Sequence, residues 1–179
     1  MHVRFSTAVG LPVCEEGSHE PLGRIVKILI HPDTGKIEGF GVKISGFLFS
    51  STEKFLPVAD ILRWSLRIVV RSSDVLCDVT DMVRLEPLLN SPRPVLGQKI
   101  ITNNGRQLGR CGDVQFDTTH FLLEWIFPKK FWKAGVPISA GHIEEVRQDA
   151  IVIRELLGKV PAAAEPSTVG SLLNKPEAA

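Results

Sequence analysis

The chain has 179 residues, with 21 basic against 20 acidic side chains and a net charge of +1. So even a balance excludes the broad electrostatic footprint of a general nucleic-acid binder and leaves room only for a local basic patch. Three cysteines, Cys14, Cys77 and Cys111, without a CxxC pair exclude a disulfide framework and a zinc knuckle; they read as buried free thiols of a reducing compartment.

Residues 1–13 lack the basic-then-apolar pattern of a secretory leader. No apolar stretch approaches the roughly 18 residues of a membrane span. A soluble, cytoplasmic protein is expected, one that could still sit at the periphery of a membrane. Phe5 to Val13 predicts a short strand, and Glu15 to Glu20 a polar turn. Leu22 to Ile30 reads as a strand buried on both faces. His31-Pro32-Asp33-Thr34-Gly35-Lys36 is a turn, and Ile37 to Ile44 returns as the second strand of a hairpin, with Gly39 and Gly41 marking bends or close backbone approach. Ile61 and Trp64 are spaced as in a helical turn before the closing strand Ile68-Val69-Val70.

Thr80 to Leu89 reads as a short amphipathic segment, helical up to Glu86 because the residue before Pro87 disfavours helical backbone. Ser91-Pro92-Arg93-Pro94 stiffens the connection that follows. Asn103-Asn104-Gly105-Arg106 is a tight-hairpin signal. Asp117 to His120 is a shortened turn leading into the strand Phe121 to Ile126, and Ile143 with Val146 again has helical spacing before the strand Ile151-Val152-Ile153. Beyond Leu157 the composition shifts to Ala, Pro, Ser and Glu. That predicts a disordered tail over 160–179, with one sticky turn at Val169, Leu172 and Leu173.

The same pattern runs through the chain twice. Pro21-Leu22-Gly23-Arg24-Ile25-Val26 returns as Gln107-Leu108-Gly109-Arg110-Cys111-Gly112, 86 positions on. Leu56-Pro57-Val58 aligns with Val136-Pro137-Ile138, and Ile68-Val69-Val70-Arg71 with Ile151-Val152-Ile153-Arg154. A period that long makes the unit a small domain, since solenoid repeats run about 20–50 residues. Units this small are near the lower limit for a self-sufficient core, so the copies are expected to pack on each other or on a partner. They diverge at the turn after Asp117, where the Gly of the first copy is absent, and at Phe127 to Gly135, read as an insertion.

This pattern resembles the PRC-barrel domains, the family of the reaction-centre H subunit's cytoplasmic domain and the C-terminal domain of the ribosome maturation factor RimM. The residues that carry the resemblance are Leu22-Gly23-Arg24-Ile25-Val26, Asp33-Thr34-Gly35-Lys36-Ile37-Glu38-Gly39-Phe40 and Pro57-Val58-Ala59-Asp60-Ile61. In the second copy they are Leu96-Gly97-Gln98-Lys99-Ile100, Gly105 to Arg110 and Pro137-Ile138. The resemblance implies a mainly β fold: two tandem small PRC-type β-barrels with short helical turns. The expected layout is a first domain at 1–78, a linker with a short helix at 79–94, a second domain at 95–159 and the tail.

Catalytic signatures are missing. His2, His19, His31, His120 and His142 are scattered without metal-ligand spacing; His31 near Asp33, and His142 near Glu144 and Glu145, are the only clusters. No GxSxG, Walker loop or GxGxxG occurs, and Glu15-Glu16 and Glu144-Glu145 fall in turns. No catalytic residue, cofactor or metal is expected. Two aromatic segments stand out instead, Phe47 to Phe55 and Phe127 to Lys133. Their candidate partner-binding residues are Phe47, Phe49, Phe55, Phe127, Lys129, Lys130, Phe131, Trp132 and Lys133. The alternative is that the aromatics cap the barrels or seal the copies together. The expectation is a non-enzymatic interaction or adaptor module with a protein partner, at a membrane-bound complex or free of one. Lys beside Phe and Trp also suits a membrane surface or RNA, and a homo-oligomer is compatible. The rival reading is a RimM-like RNA-processing or ribosome-assembly factor.

Overall fold

The computed structural model describes residues 1–45, 51–78, 81–130 and 133–155. The tail expected over 160–179 lies outside them. Strands dominate, as the alternating apolar runs require. The first half carries β1 (His2–Arg4), α1 (Phe5–Ala8), β2 (Pro12–Glu15), β3 (Pro21–Ile30), β4 (Ile37–Ser45), β5 (Ser51–Pro57), β6 (Ile61–Trp64) and β7 (Ile68–Val70). After α2 (Glu86–Leu89), the second half carries β8 (Lys99–Thr102), β9 (Gln107–Asp117), β10 (Leu122–Lys130), β11 (Lys133–Ala134), β12 (Ile138–Ser139), β13 (Ile143–Val146) and β14 (Ala150–Ile153).

Two sheets result, and they share one strand order. The first runs β5-β4-β3-β2-β7-β6 and the second β11-β10-β9-β8-β14-β13, with β1 added on β9 and β12 on β10. In both, a single parallel pair, β2 with β7 and β8 with β14, interrupts antiparallel neighbours. Parallel pairing needs a long crossover; here the intervening strands are the crossover, so the chain circles its sheet and returns beside its start. The first sheet curls until Phe40 on β4 meets Trp64 on β6, 5.1 Å between ring centroids, although those strands are far apart in the strand order.

Inward-facing residues of both halves form one apolar cluster. Ile25, Ile37, Phe40, Leu56 and Ile68 join Ile100, Phe116, Ile126 and Ile151, all fully buried. Phe40 stacks at 5.8 Å on Phe116 and Trp64 at 6.1 Å on Phe121, so aromatic rings bridge the halves. The hairpin tips are also joined by hydrogen bonds. Ile37 N donates to Phe121 O (2.7 Å) and Leu123 N to Gly35 O (2.8 Å), around the bridge Lys36 to Leu122. Each partner is its counterpart's counterpart, 86 residues apart, so the contact is isologous in the manner of a two-fold dimer, inside one chain. The segments leading into each half are exchanged likewise. Val3 of β1 pairs with Phe116 of β9, while the linker's Leu85 is buried and Arg93 makes a two-pronged ion pair with Asp33 (2.7 and 3.1 Å).

Several local expectations need correction. Phe5 to Val13 is not a strand: a helical turn at Phe5–Ala8 and Gly10 at φ 85° break it, which lets β1 leave for the other sheet. The helical segment expected to end at Glu86 is present as a 3-10 turn at Val83–Leu85 but continues past it as α2, because Pro87 occupies the first turn of α2, where the missing N–H costs nothing. Ile61–Trp64 and Ile143–Val146 are strands; the helical turns, of 3-10 type, lie just before them at Val58–Asp60 and Ala140–His142. Pro57 corresponds to Ser139 rather than Pro137, since Leu56 faces Phe40 as Ile138 faces Ile126. The Phe127 to Gly135 segment is no insertion: fewer residues link Ile126 to Ile138 than link Phe40 to Leu56.

Candidate functional site

The repeated Leu-Gly-Arg has a physical explanation. Arg24 Nη1 donates to Gly10 O and Arg110 Nη1 to Gly97 O, each at 2.9 Å. Both accepting glycines have positive φ, 85° and 80°. Their N–H groups donate to Ile25 O and Cys111 O, each at 2.8 Å. The middle glycines permit close strand approach: a Cβ on Gly23 would lie 2.8 Å from Lys43 O, and one on Gly109 2.8 Å from Lys129 O. The motif therefore locks the strand that opens each sheet. Lys43 and Lys129 occupy equivalent places opposite Arg24 and Arg110.

That equivalence relocates the candidate residues. Phe47, Phe49, Phe131 and Trp132 lie outside the described residues. Phe55 is 3% exposed; its ring lies against Gly39, where a Cβ would come within 2.3 Å of Cζ, and its backbone pairs with Cys77. Phe127 is half-buried within β10, with the Arg4 guanidinium 3.9 Å from its ring centroid. It follows the counterpart of Phe40 by one residue and so corresponds to Gly41, not to the Phe47 segment. Lys129, Lys130 and Lys133 are exposed and make no ion pair among the described residues.

The sheet register sets Lys129 in a row of cations. Across the second sheet run Lys99, Arg110, Lys129 and Ala134; across the first run Pro12, Arg24, Lys43 and Glu53. Like charges directly opposite one another are unfavourable. In the first half the row ends on an acid, Glu53, which faces Lys43 and whose carboxylate also holds Lys27 (2.8 Å). In the second half Ala134 relieves nothing, and Lys130 faces Lys133 one step further along. Beside this row lies an open groove of about 620 Å³, lined by Phe5, Val9, Leu96, Gly112, Arg110 and Lys129 among others. Sequence reasoning missed it. Its signals were the change of Val26 to Gly112 between the copies and the lost acid at Ala134.

The other chemistry is quiet. Burial pushes the Cys111 thiol up to about 12, with Asp113 adding to the effect, and burial raises Cys77 as well, so both stay protonated at neutral pH. Asp33, beside His31, is held by Arg93, which lowers its pKa. The cavity there, about 340 Å³, is lined by groups already paired, Asp33 with Arg93 and Lys36 with Glu38. Among the described residues no group of three or more His, Cys, Asp or Glu is placed to hold a metal. Nor is any helix among them long and apolar enough to cross a membrane.

A curled six-stranded sheet with one parallel closure and an Arg-anchored opening strand defines a small half-barrel domain. The family model of the PRC-barrel domain matches residues 2–81, a match that supports a PRC-barrel assignment for this part of the chain. A comparison with curated proteins gives no match.

Proposed function

We propose that this chain is a non-enzymatic protein-interaction module, an adaptor in which the first half is framework and the second, itself a PRC-type unit, presents the binding face. One observation carries the reading. At the corner formed by the end of β10 and β11, the second half exposes Lys129, Lys130 and Lys133 without acidic partners among the described residues, near Val136 at 71% exposure, whereas the first half sets Glu53 opposite Lys43, the counterpart of Lys129. An unrelieved row of cations that costs folding energy is readily explained by a partner that supplies the missing charge. Crosslinking mass spectrometry of the full chain tests this. A specific crosslinked partner is expected, lost in the Lys130→Glu with Lys133→Glu variant; an unchanged partner set would remove this corner as the binding face.

A further inference from the structure

Building on that interaction reading, we infer that the groove between α1 and the β9–β10 hairpin receives an extended peptide segment in which acidic and aliphatic residues alternate. Its walls are apolar: Phe5 and Leu96 are half-buried and Val9 is 46% exposed. Its rim is basic. Lys129 makes no ion pair among the described residues, and Arg110 spends one guanidinium N–H on Gly97 O, leaving the others of its five donors for a carboxylate. The acid within the groove is already engaged: Asp113 accepts from Ser6 N (3.0 Å), Ser6 Oγ (2.6 Å) and Val114 N (2.9 Å). Cys111, with its protonated thiol, adds no charge.

The first half serves as an internal comparison, because its side chains differ at the equivalent place. Val26 stands where the second half has Gly112, and Lys27 stands where it has Asp113, tied to Glu53 at 2.8 Å. At Gly112 an added Cβ would meet Lys129 Cβ at 2.9 Å, so the bare backbone keeps that end open. A recessed groove walled by the α1 turn admits a side chain from a peptide, while the flat headgroup layer of a bilayer meets only its rim. The groove's own cations, Arg110 and Lys129 with Lys99 beside them in register, in a chain of net charge +1 offer too short a track for a nucleic-acid backbone.

Fluorescence anisotropy of the full chain with a labelled peptide of alternating Glu and Leu tests the inference. Saturable binding that weakens with salt is expected. Lys129→Glu should weaken it roughly tenfold or more, and Gly112→Val should block it while thermal melting confirms folding. Lys43→Glu, the same step of the first half's row, should leave binding unchanged. Equal binding of a Lys and Leu peptide, wild-type binding by Lys129→Glu, or binding only to phosphatidylserine vesicles or oligouridylate would overturn it. If a crosslinked partner of the full chain survives both Lys129→Glu and Gly112→Val, the groove fails while the adaptor reading stands. If no partner crosslinks but the acidic peptide binds as described, the adaptor reading fails and the groove stands.

Discussion

Arg24 and Arg110 hold equivalent carbonyls at the same distance, whereas Glu53 and Ala134, facing equivalent lysines, differ in the one property an anionic partner would feel. The contrast separates two kinds of repeated position. Where the halves agree, the residues solve a folding problem: a strand anchored by an arginine, a glycine where backbones approach, a turn in left-handed geometry. Where they disagree on the surface, the fold tolerates the difference, which is available for recognition. The core belongs to the first kind and is shared, so a defect in one half should be felt in the other.

The largest expected effect tests that sharing. Phe40 is fully buried and touches Trp64, Phe116 and Phe121. Phe40→Ala should cost about 3–5 kcal/mol, the usual range for removing a buried aromatic. Denaturation followed by Trp fluorescence and by amide exchange in β9 should show both halves losing stability together. Exchange protection in β9 that stayed at the wild-type level would mean that the halves unfold independently.

Next in size are the strand-opening glycines. Gly23→Ala and Gly109→Ala each put a Cβ within 3 Å of a facing carbonyl oxygen, and Gly109 has φ 137° in addition. Overpacking of this kind costs about 1–3 kcal/mol. The Gly109 variant should be the worse of the two, because its backbone is also one that a side chain disfavours. Equal urea midpoints for the two variants would show that φ contributes nothing there.

Much of this framework was legible in the sequence, because Leu-Gly-Arg, the Asn-Gly turn and the Ile-Val-rich closing strands act locally and each predicts its own element. The destination of β1 was not. Val3 lies between His2 and Arg4, and nothing in three residues tells that their partner is β9, more than a hundred positions away. The Phe47 and Phe127 segments looked equivalent because both are aromatic, but register decides equivalence, and Phe127 stands where the first half has Gly41. The groove was harder still. Its signals are side chains that are missing, Gly112 for Val26 in its lining and Ala134 for Glu53 in the row beside it, and a search for chemistry-bearing residues passes over both.

A smaller effect separates the two turns. Gly35 has φ 68° and its counterpart Phe121 has φ 53°, the only positive φ among described non-glycine residues. Phe121 accepts that backbone, which disfavours a side chain by about 1–2 kcal/mol, because its ring packs at 6.1 Å on Trp64 and 6.4 Å on Phe40. With the ring removed, the usual order of alanine and glycine should invert. Phe121→Gly should be more stable than Phe121→Ala by about 1 kcal/mol, read from thermal or urea midpoints. The reverse order would mean that the turn relaxes once the ring is gone.

The smallest effect concerns the linker's hold on the first half. The Arg93 guanidinium, hydrogen-bonded to both Asp33 oxygens, lowers the Asp33 pKa. A carboxyl depressed in the folded state contributes stability that is complete above its unfolded value, near 3.9, and is lost as pH falls through the lower folded value. The clamp should therefore be intact at neutral pH and loosen only in acid, and solvent exposure of both partners keeps the effect slight. An NMR titration of the Asp33 carboxyl should place its midpoint below the ordinary one in the wild type and return it there in Arg93→Gln. An Asp33 midpoint unmoved by that substitution would show that the linker is held by burial of Leu85 alone.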